Sequence, residues 1–263
     1  MSDAAFRYRT IPTVNKSVLR LGLAPNYGLD AKGVEAALET GIRFVYWTPR
    51  MGKATGPLKA ALARDRDAFV VATGPTTGWW GGNVASFVDS ARAELGVDQL
   101  DILQLHWVGV TSALTDSTLG ALVAAREAGK TRAIGISIHD RERAGRLAAD
   151  SPLDHLMIRY NAAHPGAERD IYPHLRAERP RSVCAYTATR WGKLLKPQKG
   201  WSGPVPTAGD CYRFCLSSPH VDVVLTGPAN AAELRQNLDA LDKGPLSEDE
   251  QRWMRDFGKV VHG

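Results

Sequence analysis

The sequence alternates eight times between a short run of apolar and β-branched residues and a longer stretch with helical periodicity. The predicted strands are residues 18–24, 42–47, 69–73, 100–106, 131–137, 155–160, 182–186 and 221–226. The predicted helices are residues 31–40, 56–63, 84–95, 117–128, 141–149, 167–178, 208–217 and 231–241. Strands that are each followed by a helix favour a closed parallel sheet with the helices outside. The pattern therefore predicts a (β/α)8 TIM barrel of the α/β class.

Two further elements are predicted at the ends of the chain. Residues 7–11 and 17–21 favour an N-terminal β-hairpin that plugs the floor of the barrel. Ser247 and Glu250 have the spacing of a capping box, in which each residue bonds to the backbone of the other. That box predicts an extra C-terminal helix that runs to about Phe257.

Local signals refine the boundaries inside the repeat. Asn83 is expected to cap the third helix, and Gly96 is expected to end it. Residues 196–207 contain two glycines and three prolines, which is typical of a loop over one face of the barrel. Because no composition break or long linker divides the chain, residues 1–263 are predicted to form a single domain.

Length and composition fit one barrel that binds a small molecule. The chain has 263 residues, and one barrel of this class takes about 250. Apolar residues make up 44% of the chain, which is enough for a large core. Lys and Arg exceed Asp and Glu by 33 − 28 = 5, and this excess forms no basic run. Since nucleic-acid-binding surfaces show clustered basic residues, we expect a small-molecule ligand and no nucleic acid.

Cysteine usage and the distribution of apolar runs predict a cytoplasmic protein. Cys184, Cys211 and Cys215 are odd in number and form no Cys-x-x-Cys pair, so neither a disulfide framework nor a metal site is expected. Asp3 and Arg7 precede any apolar run, which is unlike a signal peptide. No apolar run approaches the roughly 20 residues of a membrane span. We expect a monomer or homodimer with no membrane attachment.

In barrels of this class the active site lies at the carboxyl ends of the strands. Trp107 directly follows the fourth predicted strand and is expected to form a wall of the binding pocket. Trp79 and Trp80 follow the third strand and precede two glycines, which predicts either a substrate wall or lid or a contact with a neighbouring subunit. Arg50 follows the second strand and would attract an anionic group. These four residues are the candidate substrate-binding residues.

Short motifs along almost the whole chain resemble those of one enzyme family. They are residues 41–45, the strand 100–107 that ends in His-Trp, Ile-Gly-Ile-Ser at 134–137, Tyr160-Asn161, Ala-Tyr-Thr at 185–187, and the segment from Gly227 to Gln236-Asn237. In order and spacing these motifs resemble the aldo-keto reductases. That resemblance implies a barrel that reduces carbonyl compounds with a nicotinamide cofactor, NADP(H) or NAD(H).

The family uses an Asp, a Tyr, a Lys and a His around the barrel mouth, and this chain matches only the His. His106 stands at the His position, whereas Tyr46, Met51 and Gly74 stand at the Asp, Tyr and Lys positions. In the family, the Lys and Asp lower the pKa of the Tyr toward the working pH. A phenol without that help, with a pKa near 10, is a weak proton donor. The standard reductase mechanism therefore does not transfer to this chain.

His106 and Tyr46 remain as the candidate catalytic residues. His106 can hydrogen-bond a substrate oxygen without the rest of the tetrad. Tyr46 is expected to point into the mouth near His106, where its phenol can act as the acid, and Arg50 or Lys53 can supply the positive charge lost with the Lys. The alternative is that Tyr46 only fills space in a site that has lost its chemistry.

The resemblance also implies a cofactor-binding set, which is Ser137, Asn161, Tyr186, Thr187, Arg190, Gly227, Asn230, Glu233 and Asn237. Arg190 and the backbone N–H groups of its loop are expected to hold a pyrophosphate. Asn230, Glu233 and Asn237 are expected to hold the adenosine end of the cofactor. Ala229 stands where many relatives carry a basic residue for the 2′-phosphate. Ile138 and Met157 replace two residues that hold the nicotinamide carboxamide. The alternative is an inherited phosphate cleft that holds another anion or none.

Three functions compete on this basis. The leading hypothesis is a divergent oxidoreductase that transfers hydride between a nicotinamide cofactor and a small organic carbonyl or alcohol. The second is a non-redox enzyme, such as an isomerase, lyase or cyclase, in which His106 or Tyr46 shifts a proton. The third is a catalytically silent barrel that binds a ligand. Barrels host many chemistries, so the fold alone does not choose among them.

Overall fold

The computed structural model describes residues 6–262. Strands β1 (Tyr8–Ile11) and β2 (Lys16–Leu19) form an antiparallel hairpin in which Tyr8 pairs with Leu19. The barrel strands are β3 (Leu21–Leu23), β4 (Phe44–Tyr46), β5 (Val70–Thr73), β6 (Leu100–Val108), β7 (Thr131–Ile138), β8 (His155–Arg159), β9 (Ser182–Tyr186) and β10 (Val223–Thr226). They pair in chain order, and β10 pairs in parallel with β3 to close the barrel.

Helices connect the strands and surround the barrel. They are α1 (Ala31–Glu39), α2 (Gly52–Arg64), α3 (Gly81–Leu95), α4 (Asp116–Glu127), α5 (Arg141–Ala149), α6 (Ala167–Asp170), α7 (Ala208–Leu216), α8 (Ala231–Asp239) and α9 (Glu248–His262). Within residues 6–262, no helix is both long enough and apolar enough to cross a membrane. The predicted (β/α)8 barrel with its N-terminal hairpin and C-terminal helix is confirmed.

The alternation of side chains along each strand divides the core into two parts. Phe44, Ala72 and Ile102 point into the barrel and belong to its inner core. The residues between them on the same strands, such as Val45 and Leu103, point outward and pack under the helices. Because the alternation continues to the strand ends, the last inward residue of each strand faces the mouth.

The hairpin closes the opposite end of the barrel. Ile11, Val14 and Val18 are buried in the inner core. Lys16 Nζ lies 2.9 Å from Asp101 Oδ1, and the Asp101 side chain is fully buried. Burial of a charged group is costly unless a partner of opposite sign accompanies it, so this pair fixes the hairpin to the barrel floor. The inner core is therefore sealed at the floor and open only at the mouth.

Three local predictions were wrong. The helix predicted over residues 167–178 is only Ala167–Asp170 followed by a 3-10 turn, because Pro173 has no N–H to continue an α-helix. Asn83 does not cap α3, which begins at Gly81; the Gly81 N–H instead donates to Ser117 Oγ at 3.1 Å. The C-terminal helix extends to His262, since its buried stripe continues past Phe257 to Val261.

His155 is a titratable group in the barrel interior. Its Nδ1 atom lies 2.7 Å from Ser182 Oγ, and burial lowers its pKa to about 3. Below the unfolded-state pKa of about 6.5, the unfolded chain binds a proton here that the folded chain excludes, so stability falls as the pH is lowered. At pH 4 this residue lowers the free energy of unfolding by about 3 kcal/mol relative to neutral pH.

We expect His155→Gln to remove this part of the pH dependence, because an amide can bond to Ser182 without titrating. The measurement is the free energy of urea unfolding at pH 7.5 and pH 4.5, with His174→Gln, at an exposed position, as the matched control. If the free energy of unfolding of His155→Gln falls between pH 7.5 and pH 4.5 by as much as that of the parent protein, His155 does not carry this pH dependence.

Candidate active site

A cavity of about 670 Å³ opens at the carboxyl ends of the strands, within the usual size range of small-molecule sites. Residues from the ends of all eight strands or their following loops line it. The sequence-predicted residues among them are Tyr46, Arg50, His106, Trp107, Ser137, Tyr186, Thr187 and Gly227. The fold thus brings both candidate catalytic residues together with part of the candidate cofactor and substrate sets.

Tyr46 and His106 lie side by side in this mouth, with ring centroids 5.2 Å apart and the rings edge to face. His106 Nε2 is buried and has no hydrogen-bond partner among residues 6–262. Burial lowers the pKa of His106 to about 4, although the Pro75 carbonyl opposes this in part. Burial also raises the pKa of the Tyr46 phenol well above its ordinary value, with Tyr27 and Tyr186 adding to the rise. At neutral pH both side chains are uncharged: the Tyr46 phenol can donate a hydrogen bond, and Nε2 of His106 can accept one, because the Pro75 carbonyl takes the one N–H of the ring.

Position 74, where the resemblance would place a catalytic Lys, has no room for any side chain. A Cβ atom on Gly74 would lie 1.7 Å from the backbone oxygen of Gln104 on the neighbouring strand β6. The backbones of the two strand ends therefore approach too closely for a Lys to be restored by one substitution. The Tyr46 and His106 pair consequently receives no cation from strand β5.

A wall of three rings continues from His106. The Trp107 and His139 rings lie 5.8 Å apart, and the His139 and Tyr186 rings lie 5.7 Å apart. His139 lines the cavity, although it is not among the residues predicted for the site, and the next residue, Asp140, caps α5. The missed signal was the spacing, because His139 stands two residues beyond Ser137 and so lies on the same face of its strand.

Backbone strain concentrates at this mouth. Five non-glycine residues within 6–262 have a positive φ, and four of them, Trp107, Thr187, Arg190 and Trp191, lie at the ends of β6 and β9. Such conformations cost free energy and tend to occur at functional sites. The loop 187–192 turns so that the backbone N–H groups of Ala188, Thr189 and Trp191 find no acceptor in the described part of the protein. The loop therefore presents three free donors beside the cavity, which suit an anion.

Two members of the candidate cofactor set support this loop from behind. Asn161 Nδ2 donates to the Thr187 carbonyl at 2.8 Å, and its Oδ1 accepts from the backbone of Ala163 and His164. The Arg190 guanidinium donates to the Val261 carbonyl at the end of α9. Neither side chain lines the cavity, and the Arg190 guanidinium, which was predicted to hold a pyrophosphate, is turned toward α9. The carbonyls at a helix C-terminus attract a cation, which explains where the Arg190 side chain lies.

The three residues predicted for the adenosine end lie on α8 and bond to each other or to the core. Asn230 caps the helix by accepting from the Glu233 N–H, and Glu233 accepts from the Ala229 N–H at 2.9 Å. Asn237 is buried and donates to Thr226 Oγ1 at 3.0 Å. Their side chains do not line the mouth cavity. Gly227 does line it, and the absence of a side chain there lets the Tyr27 ring pack against it.

The predicted substrate residues separate into two groups. Arg50 and Trp107 line the mouth, whereas Trp79 and Trp80 do not. Trp80 is the residue before α3 and is 69% exposed, and Trp79 is 41% exposed. The first pair is therefore available to a ligand in the cavity, and the second pair lies on the surface outside it.

The mouth is electropositive. Among the described residues, its lining contains no Asp or Glu, and it contains Arg50. Burial lowers the pKa of His139 and raises that of Tyr186. The charge of Arg159, two residues beyond Met157 on the inward face of β8, adds to the first shift and opposes the second. Within residues 6–262, no three His, Cys, Asp or Glu side chains form a group that could hold a metal ion. The site thus favours an anionic or neutral organic ligand.

Comparison with known proteins agrees with this geometry. Residues 24–205 match the model of the aldo/keto reductase family. The chain belongs to the aldo/keto reductase family. Curated aldo-keto reductases from Mycobacterium marinum and Mycobacterium ulcerans are each 26% identical to it over 219 residues, which cover 80% of this chain and 76% of each relative.

Solved structures of the same family share the fold. The holo form of aldo-keto reductase AKR11C1 from Bacillus halodurans aligns with a TM-score of 0.79 at 20% identity, covering 97% of both chains. The glycerol dehydrogenase AKR11B4 from Gluconobacter oxydans aligns with a TM-score of 0.75 at 19% identity, covering 98% of this chain and 97% of that one. Membership of the family supports an oxidoreductase role for this protein.

The residues present fit a nicotinamide dinucleotide, the cofactor that the family generally binds. The Tyr186 ring and the Ser137 hydroxyl lie in the mouth, where a planar ring with a polar substituent can contact both. The free N–H groups of loop 187–192 lie at the rim and suit a diphosphate. The fit is weaker near Ile138 and Met157, which offer no amide to a carboxamide.

We expect Gly74→Ala to destabilise the protein by more than about 3 kcal/mol, since the added methyl group overlaps a backbone atom that cannot move without opening the barrel. Gly82→Ala, on the surface of α3 with no atom within 4 Å of the added Cβ, is the matched control and should change stability by less than about 1 kcal/mol. Urea unfolding monitored by circular dichroism measures both. Equal stability of the two variants would contradict the close approach at position 74.

Proposed function

We propose that this protein is an oxidoreductase that binds NAD(H) or NADP(H) and acts on a small organic carbonyl or alcohol in the barrel mouth. The observation that carries the proposal is the meeting of Tyr46, His106 Nε2 and the Tyr186 ring in one cavity, beside a loop with free N–H groups. Relative to the usual pattern of the family, the site differs at the proton-donating positions and at Ile138 and Met157, which offer no amide to the nicotinamide carboxamide.

Ser137, Tyr186 and Gly227 would hold the nicotinamide end, and the backbone of residues 187–192 would hold the diphosphate. Asn161 and Arg190 support that loop, so they act as positioning residues. When bound, the dinucleotide supplies or accepts the hydride. Asn230, Glu233 and Asn237 would lie toward the adenosine end. The Glu233 carboxylate accepts from the Ala229 N–H, and its charge would repel the 2′-phosphate of NADPH at this place. We therefore expect NADH to bind more tightly than NADPH.

His106 and Tyr46 orient the substrate. The Tyr46 phenol keeps its proton at neutral pH and donates to the substrate oxygen. The Pro75 carbonyl accepts the one N–H of the neutral His106 ring, so the unpartnered Nε2 accepts a hydrogen bond from a substrate hydroxyl. Together these two bonds fix the orientation of the substrate in the mouth. Trp107 and Trp191 line the rim and limit the access of water.

We further propose a cytoplasmic location and a monomer or homodimer. Cys184, Cys211 and Cys215 are all buried and unpaired, which supports a reducing compartment. The absence of carboxylates from the lining within residues 6–262 supports a neutral or anionic small-molecule substrate.

Titration of the purified protein with NADH and NADPH tests the cofactor proposal. Tryptophan quenching should saturate with a Kd below about 10 μM, which corresponds to about −7 kcal/mol. Tyr186→Leu should weaken NADH binding about tenfold, because it removes a stacking surface. Trp253→Phe, outside the mouth, is the control. Folded protein that binds neither dinucleotide would reject the proposal and favour a non-redox enzyme or a silent ligand-binding barrel.

A further inference from the structure

A second cavity, of about 430 Å³, lies on the outer wall of the barrel, and we call it the outer cavity. A full helix normally covers the wall after each strand, but α6 ends at Asp170 and a 3-10 turn with Pro173 follows, which leaves space between this turn, α7 and α9. Among the described residues, none lines both the outer cavity and the mouth. Its volume is in the range of small-molecule sites, so the fold has room for a second ligand away from the mouth. Its lining includes Tyr160, Glu168, Tyr172, Phe214, His220 and Arg255.

Four aromatic rings form much of the wall of the outer cavity. Tyr160 and Phe214 stack with their centroids 5.6 Å apart, and Tyr172 and His220 stack with their centroids 4.8 Å apart. The Tyr160 and Tyr172 rings meet edge to face at 5.5 Å, so the two stacked pairs stand at a steep angle to each other. Aromatic walls at such an angle favour a flat ring, which can stack on one pair and present its edge to the other.

The charged groups of the outer cavity already satisfy each other. Arg255 donates from both terminal nitrogens to the Glu168 carboxylate, at 2.9 and 3.0 Å, and the Tyr160 hydroxyl donates to the same carboxylate at 2.6 Å. Partial burial lowers the pKa of His220, so its ring is uncharged at neutral pH. A paired carboxylate and guanidinium exert little net attraction on a third charge, whereas an ion loses hydration when it enters a cavity. The electrostatics therefore favour a neutral ligand.

One buried hydroxyl in the outer cavity lacks a partner. Tyr172 is 4% exposed, and its hydroxyl makes no hydrogen bond within residues 6–262. Burial raises the pKa of this phenol well above its ordinary value, and the nearby Ser218 hydroxyl opposes the rise only in part. The phenol therefore keeps its proton and remains a donor. Because buried polar groups are normally hydrogen-bonded, this hydroxyl marks a place where a ligand oxygen can bind.

Ser218 offers the complementary group. Its Oγ accepts from the His220 N–H at 3.4 Å and retains a second lone pair. Tyr172 and Ser218 together thus present a donor and an acceptor on the lining of one cavity. A ligand hydroxyl can use both, because it accepts one hydrogen bond and donates another.

We propose that the outer cavity binds a small neutral aromatic alcohol, with its ring against His220 and its hydroxyl toward Tyr172 and Ser218. The ligand hydroxyl accepts from Tyr172 and donates to Ser218 Oγ. The volume of the cavity suits a ligand of about one or two fused rings. Since the outer cavity and the mouth have separate linings, this inference is independent of the proposed oxidoreductase function.

Binding is tested with 2-naphthol as the probe, by NMR of the full-length protein labelled with nitrogen-15. The backbone amide signals of Ser218 and His220 report on the outer cavity even if 2-naphthol also enters the mouth. Both signals should shift saturably, with a Kd below about 1 mM, as expected for a ligand of this size. Unchanged signals at 2 mM 2-naphthol in folded protein would overturn the proposal.

Two variants test the binding position, with the Ser218 amide as the reporter. His220→Ala removes an exposed ring and should weaken 2-naphthol binding about tenfold, the effect of one lost stacking surface. His174→Ala is the matched control, because His174 is exposed on the same 3-10 turn as Tyr172 but does not line the outer cavity. It should bind like the parent protein. Equal affinity of His220→Ala and His174→Ala would overturn the assigned position of the ring.

Tyr172→Phe tests the hydrogen bond separately. It keeps the ring and removes a buried hydroxyl that has no partner, so the folded protein should be at least as stable as the parent. Its affinity for 2-naphthol should fall about fivefold, the effect of one neutral hydrogen bond. An unchanged affinity in this variant would overturn the assigned position of the ligand hydroxyl.

The preference for a neutral ligand is tested with two ions that carry the same ring system, 2-naphthoate and (2-naphthyl)methylammonium. Followed through the Ser218 and His220 amides, each ion should bind at least about tenfold more weakly than 2-naphthol, because each loses hydration without gaining an unpaired charge as its partner. If either ion binds at these amides as tightly as 2-naphthol, the assignment to neutral aromatic alcohols is wrong.

Discussion

Closure of the parallel barrel is the constraint on which the rest of this structure depends. Once the sheet closes, alternate residues of every strand must point inward, and those at the carboxyl ends must share one small space. Tyr46, His106 and Tyr186 come from strands far apart in the chain and meet there for that reason. The hairpin closes the other end with apolar residues and the Lys16–Asp101 pair, and the cavity opens at the mouth.

Within that frame, one backbone contact determines the electrostatics of the site. The end of β5 approaches the Gln104 carbonyl so closely that position 74 accepts only glycine. The neighbouring Tyr46 and His106 side chains consequently receive no cation from the end of β5, and both are uncharged at neutral pH. A site of this kind binds and orients an oxygen well but transfers protons poorly.

Much of the fold and part of the site follow from residue patterns alone. The eightfold alternation predicted the barrel, and the position of His106 and Tyr46 at strand ends predicted their convergence. The direction of side chains in loops was not predictable. Arg190 lies in the loop that follows strand β9 at the mouth, but its side chain donates to a carbonyl on α9 that is 71 residues away in the chain. The Gly74 contact also depends on the spacing between two backbones, which no residue pattern encodes. Trp79 and Trp80 were predicted to form a substrate wall or lid or a subunit contact, and they precede helix α3 and do not line the cavity.

A crystal structure of the protein grown with NADH is the most direct test of the claim that this mouth remains a hydride-transfer site without the usual acid. The nicotinamide ring should lie beside Tyr186 with one face toward Tyr46 and His106, and the diphosphate should accept hydrogen bonds from the N–H groups of Ala188, Thr189 and Trp191. A dinucleotide bound elsewhere, or with its nicotinamide turned away from His106, would contradict that claim.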